Sequence, residues 1–185
     1  RNVQNSAAIA LPDGKPLSVV SRKRGYTEAE RVTGPDLMGE LFARENGLKH
    51  FFYGDKEETL QILLQKLKEK YPNIQIAGMI SPPFRSLSQE EEKTYIQQIN
   101  DSGADIVWIG LGAPKQENWM YEHQGMLHGV MIGVGAGFSY HAGLIKRAPE
   151  WMQKMSLEWF YRLMQDPVRL FKRYFTTNLK FMLLE

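Results

Sequence analysis

The chain has 185 residues, 43% apolar and 24% charged, with no cysteine; this is close to an ordinary globular composition, and it excludes a disulfide framework, thiolate-bound zinc, iron–sulfur clusters and thiol catalysis. No stretch of about 18 apolar residues occurs, so no membrane-crossing helix is expected, and the opening residues do not read as a basic-then-apolar leader. The net charge of +2 is uneven: residues 146–185 carry eight Lys and Arg against four acids, and residues 1–145 carry fifteen against seventeen, so the C-terminal end is expected to meet a polyanion such as phosphate, nucleic acid or anionic lipid.

Along the chain, residues 2–8 read as the end of a helix. The apolar run at 9–11 reads as a strand stopped by Pro12, Asp13 and Gly14. Residues 17–23 form a helix ended by Gly25. Gly34, Pro35 and Asp36 open the next helix, with proline in its first turn and an acid at the positive end of its dipole. Leu37, Met38, Leu41 and Phe42 give that helix one apolar face, and Gly47 ends it. Residues 50–54 are an aromatic-rich strand. Residues 57–71 are a helix with Leu60, Leu63, Leu64 and Leu67 on one side. Residues 74–80 alternate as a strand and are broken by Ser81, Pro82 and Pro83. Ser88 with Glu91 three residues on is a capping box, opening a helix to about Asn100. Residues 106–109 form a continuous apolar strand, as a doubly covered one requires. Pro114 opens another helix, residues 129–134 form the last strand, and beyond Pro149 the pattern is helical only.

Strands alternating with helices at this spacing predict an α/β fold: a mainly parallel, Rossmann-like sheet covered by helices on both faces, with a helical C-terminal tail. Residues 1–148 form the core and residues 149–185 a basic, aromatic helical segment.

Ligands of an open parallel sheet bind beyond the carboxyl ends of its strands. Nine of the sixteen glycines lie from Gly103 to Gly143, where backbone amides would approach a ligand closely. Gly133, Gly135 and Gly137 follow a strand, but their spacing is not that of a dinucleotide fingerprint, and no acid stands about 20 residues on. No P-loop, Asp-x-Asp triplet or Gly-x-Ser-x-Gly elbow occurs, and His50, His123, His128 and His141 lack ligand spacing. Asp13 is the best-placed acid, in a Pro-Asp-Gly turn that also occurs as an ordinary turn sequence. Lys115, Gln116 and Glu117 stand in the first turn of a helix after a buried strand, where an anion is favoured and a solvated helix start is the plain alternative.

In the tail, Trp151, Trp159, Phe160, Tyr161, Phe171, Tyr174, Phe175 and Phe181 alternate with cations. Packing on the core, a membrane surface and single-stranded nucleic acid all fit this composition, the membrane surface best. In a helix from about Ser156, Arg162, Arg169 and Arg173 share a face beside Trp159, Leu163, Leu170 and Tyr174, unless Pro167 breaks it near Asp166.

Several stretches resemble one family: Leu-Pro-Asp-Gly-Lys-Pro-Leu at 11–17, Arg-Val-Thr-Gly-Pro-Asp at 31–36, Gly-Leu-Gly-Ala-Pro-Lys-Gln-Glu at 110–117, Gly-Val-Gly-Ala-Gly-Phe at 133–138 and Arg-Ala-Pro-Glu-Trp-Met at 147–152. With Leu-Glu-Trp-Phe-Tyr-Arg-Leu at 157–163 and Pro167 before Arg169, they are similar, in order, to the WecG/TagA/CpsF glycosyltransferases.

The resemblance implies a bacterial inverting enzyme, without bound metal or cofactor. It would move a sugar from a UDP-sugar to a sugar on a polyprenyl-diphosphate carrier, for teichoic acid, capsule or exopolysaccharide. It would work peripherally on the cytoplasmic face of the cell membrane, held there through the C-terminal segment, with no nucleic acid partner. Oligomeric state is open, a homo-oligomer included. By position, Asp13 would be the general base, with Arg31 and Thr33 near the site. Lys115, Gln116 and Glu117 would line the donor pocket together with Gly135 and Ser139. Arg147, Arg162, Arg169 and Arg173 would meet the diphosphates. The family has a further N-terminal stretch ahead of the position where this sequence opens, and Ser139 stands where many relatives carry Asp. Both departures imply an alternative, a catalytically incompetent member that binds nucleotide sugar or anionic lipid.

Overall fold

The structure is a computed structural model that describes residues 2–44, 47–155, 157–165, 167, 168 and 171. The chain divides into two compact units, Arg1–Ile145 and Lys146–Glu185.

The first unit is built on four strands, β1 (Lys49–Gly54), β2 (Gln75–Ile80), β3 (Ile106–Gly110) and β4 (Val130–Gly133). All are parallel, in the order β2-β1-β3-β4. Among the described residues seven helices accompany them: α1 (Asn2–Asn5), α2 (Lys15–Lys23), α3 (Gly34–Phe42), α4 (Glu57–Lys70), α5 (Gln89–Asp101), α6 (Lys115–Glu122) and α7 (Gly137–His141).

The period-2 geometry of a strand sends successive side chains to opposite faces, and here both faces are apolar. Phe52, Ile106 and Trp108 join Met38 and Phe42 of α3, three leucines of α4 and Phe138 of α7. Phe51, Tyr53, Val107 and Ile109 join Ile99 of α5 and Trp119 of α6 on the other side. The α/β sheet covered on both faces is therefore as expected. Connections run from β1 to β2 in one direction along the sheet and from β2 to β3 to β4 in the other. Right-handed crossovers then require α4 on one face and α5 and α6 on the opposite one, which is where the two clusters put them.

Local chemistry sets the helix starts. Ser88 Oγ accepts from the Glu91 backbone N–H at 3.2 Å, and Glu91 returns a carboxylate to the Ser88 N–H at 2.8 Å. Pro16 in the first turn of α2 moves that helix start to Lys15, two residues earlier than the apolar pattern alone predicts. One expectation fails: residues 9–11 are not a strand. The four-stranded sheet forms without them, and Ile9 and Leu11 are exposed. Three apolar residues with no neighbouring strand to complete a ladder gain nothing from extended pairing.

The second unit contains α8 (Glu150–Lys154) and α9 (Glu158–Gln165). Gln153 donates to the Ala148 carbonyl at 2.6 Å, and Gln165 to that of Lys146 at 3.1 Å. Trp151, Trp159, Phe160, Met164, Val168 and Phe171 are exposed. Ser156, Asp166, Arg169, Leu170, Arg173, Tyr174, Phe175 and Phe181 lie outside the described residues, so the common face expected of Arg162, Arg169 and Arg173 falls there too.

Candidate active site

The chain leaves β1 toward one face of the sheet and β3, its immediate neighbour, toward the other. This is a topological switch point, and it opens a crevice at the carboxyl ends of the two strands. Gly54 and Gly110, paired across the ladder, form its floor. Asp55 follows directly, with its N–H on the Gly110 carbonyl at 3.2 Å. Its φ is +58°, the left-handed region, and among the described residues no other non-glycine has a positive φ. Ser81 Oγ donates to the Asp55 carbonyl at 2.8 Å. The carboxylate accepts from the Lys56 N–H at 2.8 Å and from Ser139 Oγ at 3.0 Å.

On the β3 side, Gly112 with φ +77° turns the chain into α6, whose first turn carries Lys115, Gln116 and Glu117 as the sequence predicts. Lys115 is exposed, Gln116 buried and Glu117 half-buried. Gln116 braces the site: its Oε1 accepts from the Gly135 N–H at 3.0 Å, and its Nε2 donates to Glu117 Oε1 at 2.9 Å. The loop after β4, with Gly135 at φ +54°, is thereby tied to the start of α6. Glu117 Oε2 is buried, with no hydrogen-bond partner among the described residues.

Beside the crevice, on the α5–α6 side, a cleft of about 220 Å³ is lined by Tyr53, Pro82, Pro83, Lys115, Trp119 and their neighbours. Tyr53 stacks on Trp119 at 4.7 Å between centroids, and Trp119 on His123 at 4.2 Å. Burial first, then Tyr95 and Glu92 nearby, push the Tyr53 phenol well above its ordinary range, so it stays protonated.

Asp13 and Arg31 are 18 residues apart and come together. Arg31 Nε donates to the Asp13 carbonyl at 2.8 Å, and the Val32 N–H to the Pro12 carbonyl at 3.1 Å. Asp13 is exposed and does not follow a strand. Thr33, buried, caps α3: its Oγ1 accepts from the Asp36 N–H at 3.3 Å and donates to Asp36 Oδ2 at 2.6 Å. A methyl group at Gly34 would lie 2.9 Å from the Val134 carbonyl oxygen. This close approach seats the start of α3 against the residue before Gly135.

Of the residues singled out in the sequence, Asp13 meets Arg31, Gln116 meets Glu117 and Gly135, and Ser139 meets Asp55. Arg147 and Arg162 belong to the second unit, where Arg147 Nε is 3.9 Å from Glu158. Asp55 is not among the site residues singled out in the sequence, although Gly54 and Asp55 read there as the carboxyl end of a strand. Its signal was an acid directly after a strand-ending glycine; its link to Ser139, 84 residues away, left no trace. Among the described residues no helix is long and apolar enough to cross a membrane.

A family model, the Glycosyl transferase WecG/TagA/CpsF family, matches residues 1–185, and the chain belongs to this family. It is similar to the N-acetylglucosaminyldiphosphoundecaprenol N-acetyl-β-D-mannosaminyltransferase of Bacillus subtilis (strain 168), 34% identical over 172 residues that cover 91% of this chain and 65% of the relative. The protein of the same name from Bacillus spizizenii is 31% identical over 90% of this chain and 64% of the relative. That from Staphylococcus aureus (strain MW2) is 32% identical over 88% and 63%. The chain thus spans slightly under two thirds of the length of the curated relatives it matches.

Proposed function

We propose, with membership of that family as the premise, that the chain is the nucleotide-binding and catalytic part of an inverting glycosyltransferase. It transfers an N-acetylhexosamine, N-acetylmannosamine foremost, from a UDP-sugar to a sugar on a polyprenyl diphosphate. The observation that carries this reading is the family match across the chain, on a fold with a switch-point crevice floored by Gly54 and Gly110 and a cleft beside it that Lys115 helps to line. The relatives' names supply the acceptor and the β linkage. A donor α-linked to its phosphate gives a β product in one displacement, and one displacement needs one base.

In the mechanism, the Asp13 carboxylate takes the proton of the attacking acceptor hydroxyl. The hydroxyl oxygen bonds to the anomeric carbon while the bond from that carbon to the phosphate oxygen breaks. UDP leaves with the electron pair. The growing charge on its diphosphate meets Lys115, the start of α6 and the amides of the glycine loops, fixed in place before the reaction. Arg31, through the Asp13 carbonyl, holds the base in position. Gln116 and Glu117 keep the Gly135 loop against α6. Thr33 holds the start of α3 beside that loop. Arg147, Arg162, Arg169 and Arg173 serve the carrier diphosphate, as bidentate donors suited to phosphate oxygens. The exposed aromatics of the second unit rest in the headgroup layer on the cytoplasmic face of the membrane.

The test is transfer of radiolabel from a panel of UDP-N-acetylhexosamines to a polyprenyl-diphosphate-linked N-acetylglucosamine. Labelled lipid with the β configuration is the expected result. UDP binding with no labelled lipid under any donor supports the binding-only alternative, and no UDP binding overturns the donor reading.

A further inference from the structure

We propose that Asp55 is a specificity-determining residue of the donor site, its carboxylate accepting from the vicinal hydroxyls of the donor's ribose. This rests on the nucleotide-donor reading above and names the part of the donor that one unassigned residue recognises.

The backbone gives the first reason. Glycine would occupy φ +58° freely, whereas any other residue pays a steric penalty there, least for Asp and Asn. A non-glycine residue held in that region at a switch point, on three backbone and side-chain tethers, is an outlier of the kind that concentrates at functional sites.

The second reason is the carboxylate's hydrogen-bond inventory. An ionised carboxylate accepts at about four lone-pair sites and donates nothing. Lys56 N–H uses one oxygen and Ser139 Oγ the other. One acceptor position on each oxygen remains among the described contacts, a number that matches two hydroxyls on adjacent carbons. The residue is only partly buried, so a ligand in the crevice reaches it.

The third is charge. A carboxylate repels phosphate, so the diphosphate is kept away from Asp55; the α6 side, though it also holds the Glu117 carboxylate hydrogen-bonded to Gln116, adds the cation Lys115 and the loops of Gly112 and Gly135. The neutral, hydroxyl-bearing nucleoside then falls to the Asp55 side. Ser139, on α7, holds Oδ2 and so fixes the carboxylate's rotation.

The experiment is calorimetric titration of the chain, Asp55→Asn and Asp55→Gly with UDP, 2′-deoxy-UDP and inorganic pyrophosphate. Both replacements tolerate a positive φ, so the fold is retained, and a melting curve checks this. The unaltered chain is expected to prefer UDP over 2′-deoxy-UDP by about tenfold, the scale of one charge-assisted hydrogen bond. In both variants that preference disappears, while pyrophosphate binds as well as before or better. A helix-start role for Asp55 would shift melting without touching the ribose preference. The inference is overturned if the preference survives in the variants, or if both nucleotides weaken equally. If the unaltered chain binds no UDP at all, the donor reading itself has failed and this inference falls with it. UDP binding without ribose preference refutes the inference alone.

Discussion

The carboxyl edge of the sheet and the segment from residue 9 to residue 33 are built on different principles. At the edge, side chains are tied to distant elements: Asp55 to Gly110 and Ser139, Gln116 to Gly135. The strands beneath carry Phe52, Trp108, Val107 and Ile109, all fully buried. The segment carrying Asp13 is exposed over most of its length, with Ser18 and Thr33 buried, has no strand, and is tethered at its turn through Arg31 and Val32. A preorganised edge suits binding, where fixed dipoles must already point at the ligand. An exposed acid suits proton transfer to an acceptor that arrives separately. The difference teaches that binding and chemistry can be perturbed apart.

The sharpest break of that comparison is Asp13→Asn. Transfer should fall by about 10²–10⁴-fold, the worth of a general base, while the UDP dissociation constant stays put; rate and calorimetry on one preparation check both. Next is Gly110→Ala at the floor. The added carbon would lie 2.7 Å from the ring of Phe138, which is fully buried. Overpacking of this kind costs about 1–3 kcal/mol, visible as a lower midpoint in urea with UDP binding weakened alongside. Gln116→Ala leaves the Gly135 N–H without its acceptor and should cost about 1 kcal/mol or more. Weaker UDP binding and an earlier melt together are expected, whereas a loss of turnover alone would move Gln116 from the brace to the chemistry.

Legibility in the sequence followed the range of the interaction. The strands of β1 and β3 were plain because their apolar runs are continuous, and the α5 start because Ser88 and Glu91 are three residues apart. The α6 start was visible from its glycine, proline and polar first turn. The false strand at 9–11 came from apolar character without a partner, which a single sequence does not reveal. The site's braces were invisible for a related reason: Ser139 and Asp55 are joined by the crossing of α7 and β1, and Arg31 contacts a carbonyl that every residue possesses. Asp13 and the α6 residues stood out through motif resemblance more than through local physics.

The smallest expected effect lies at the α5 cap, on the rim of the cleft. The Arg85 hydrogen bond first, then the Ser88 N–H, hold the Glu91 carboxyl down to about 2 from 4.5. A depressed folded value means that the contribution is complete above the unfolded value and is lost as pH falls through the folded one. The melting temperatures of the chain and of Glu91→Gln should therefore differ near neutrality and converge as pH drops from 4.5 toward 2. A constant gap across that window would remove the cap's ionic character.

The central claim is that the donor sits at the β1–β3 switch point. Titrating UDP into isotope-labelled protein and following backbone amide shifts tests it most directly. The largest shifts should fall on Asp55, Gly112, Gly135 and Ser139, with Asp13 little moved until acceptor is added. Shifts confined to the amino ends of the strands or to α9, with the crevice amides unchanged, would contradict it.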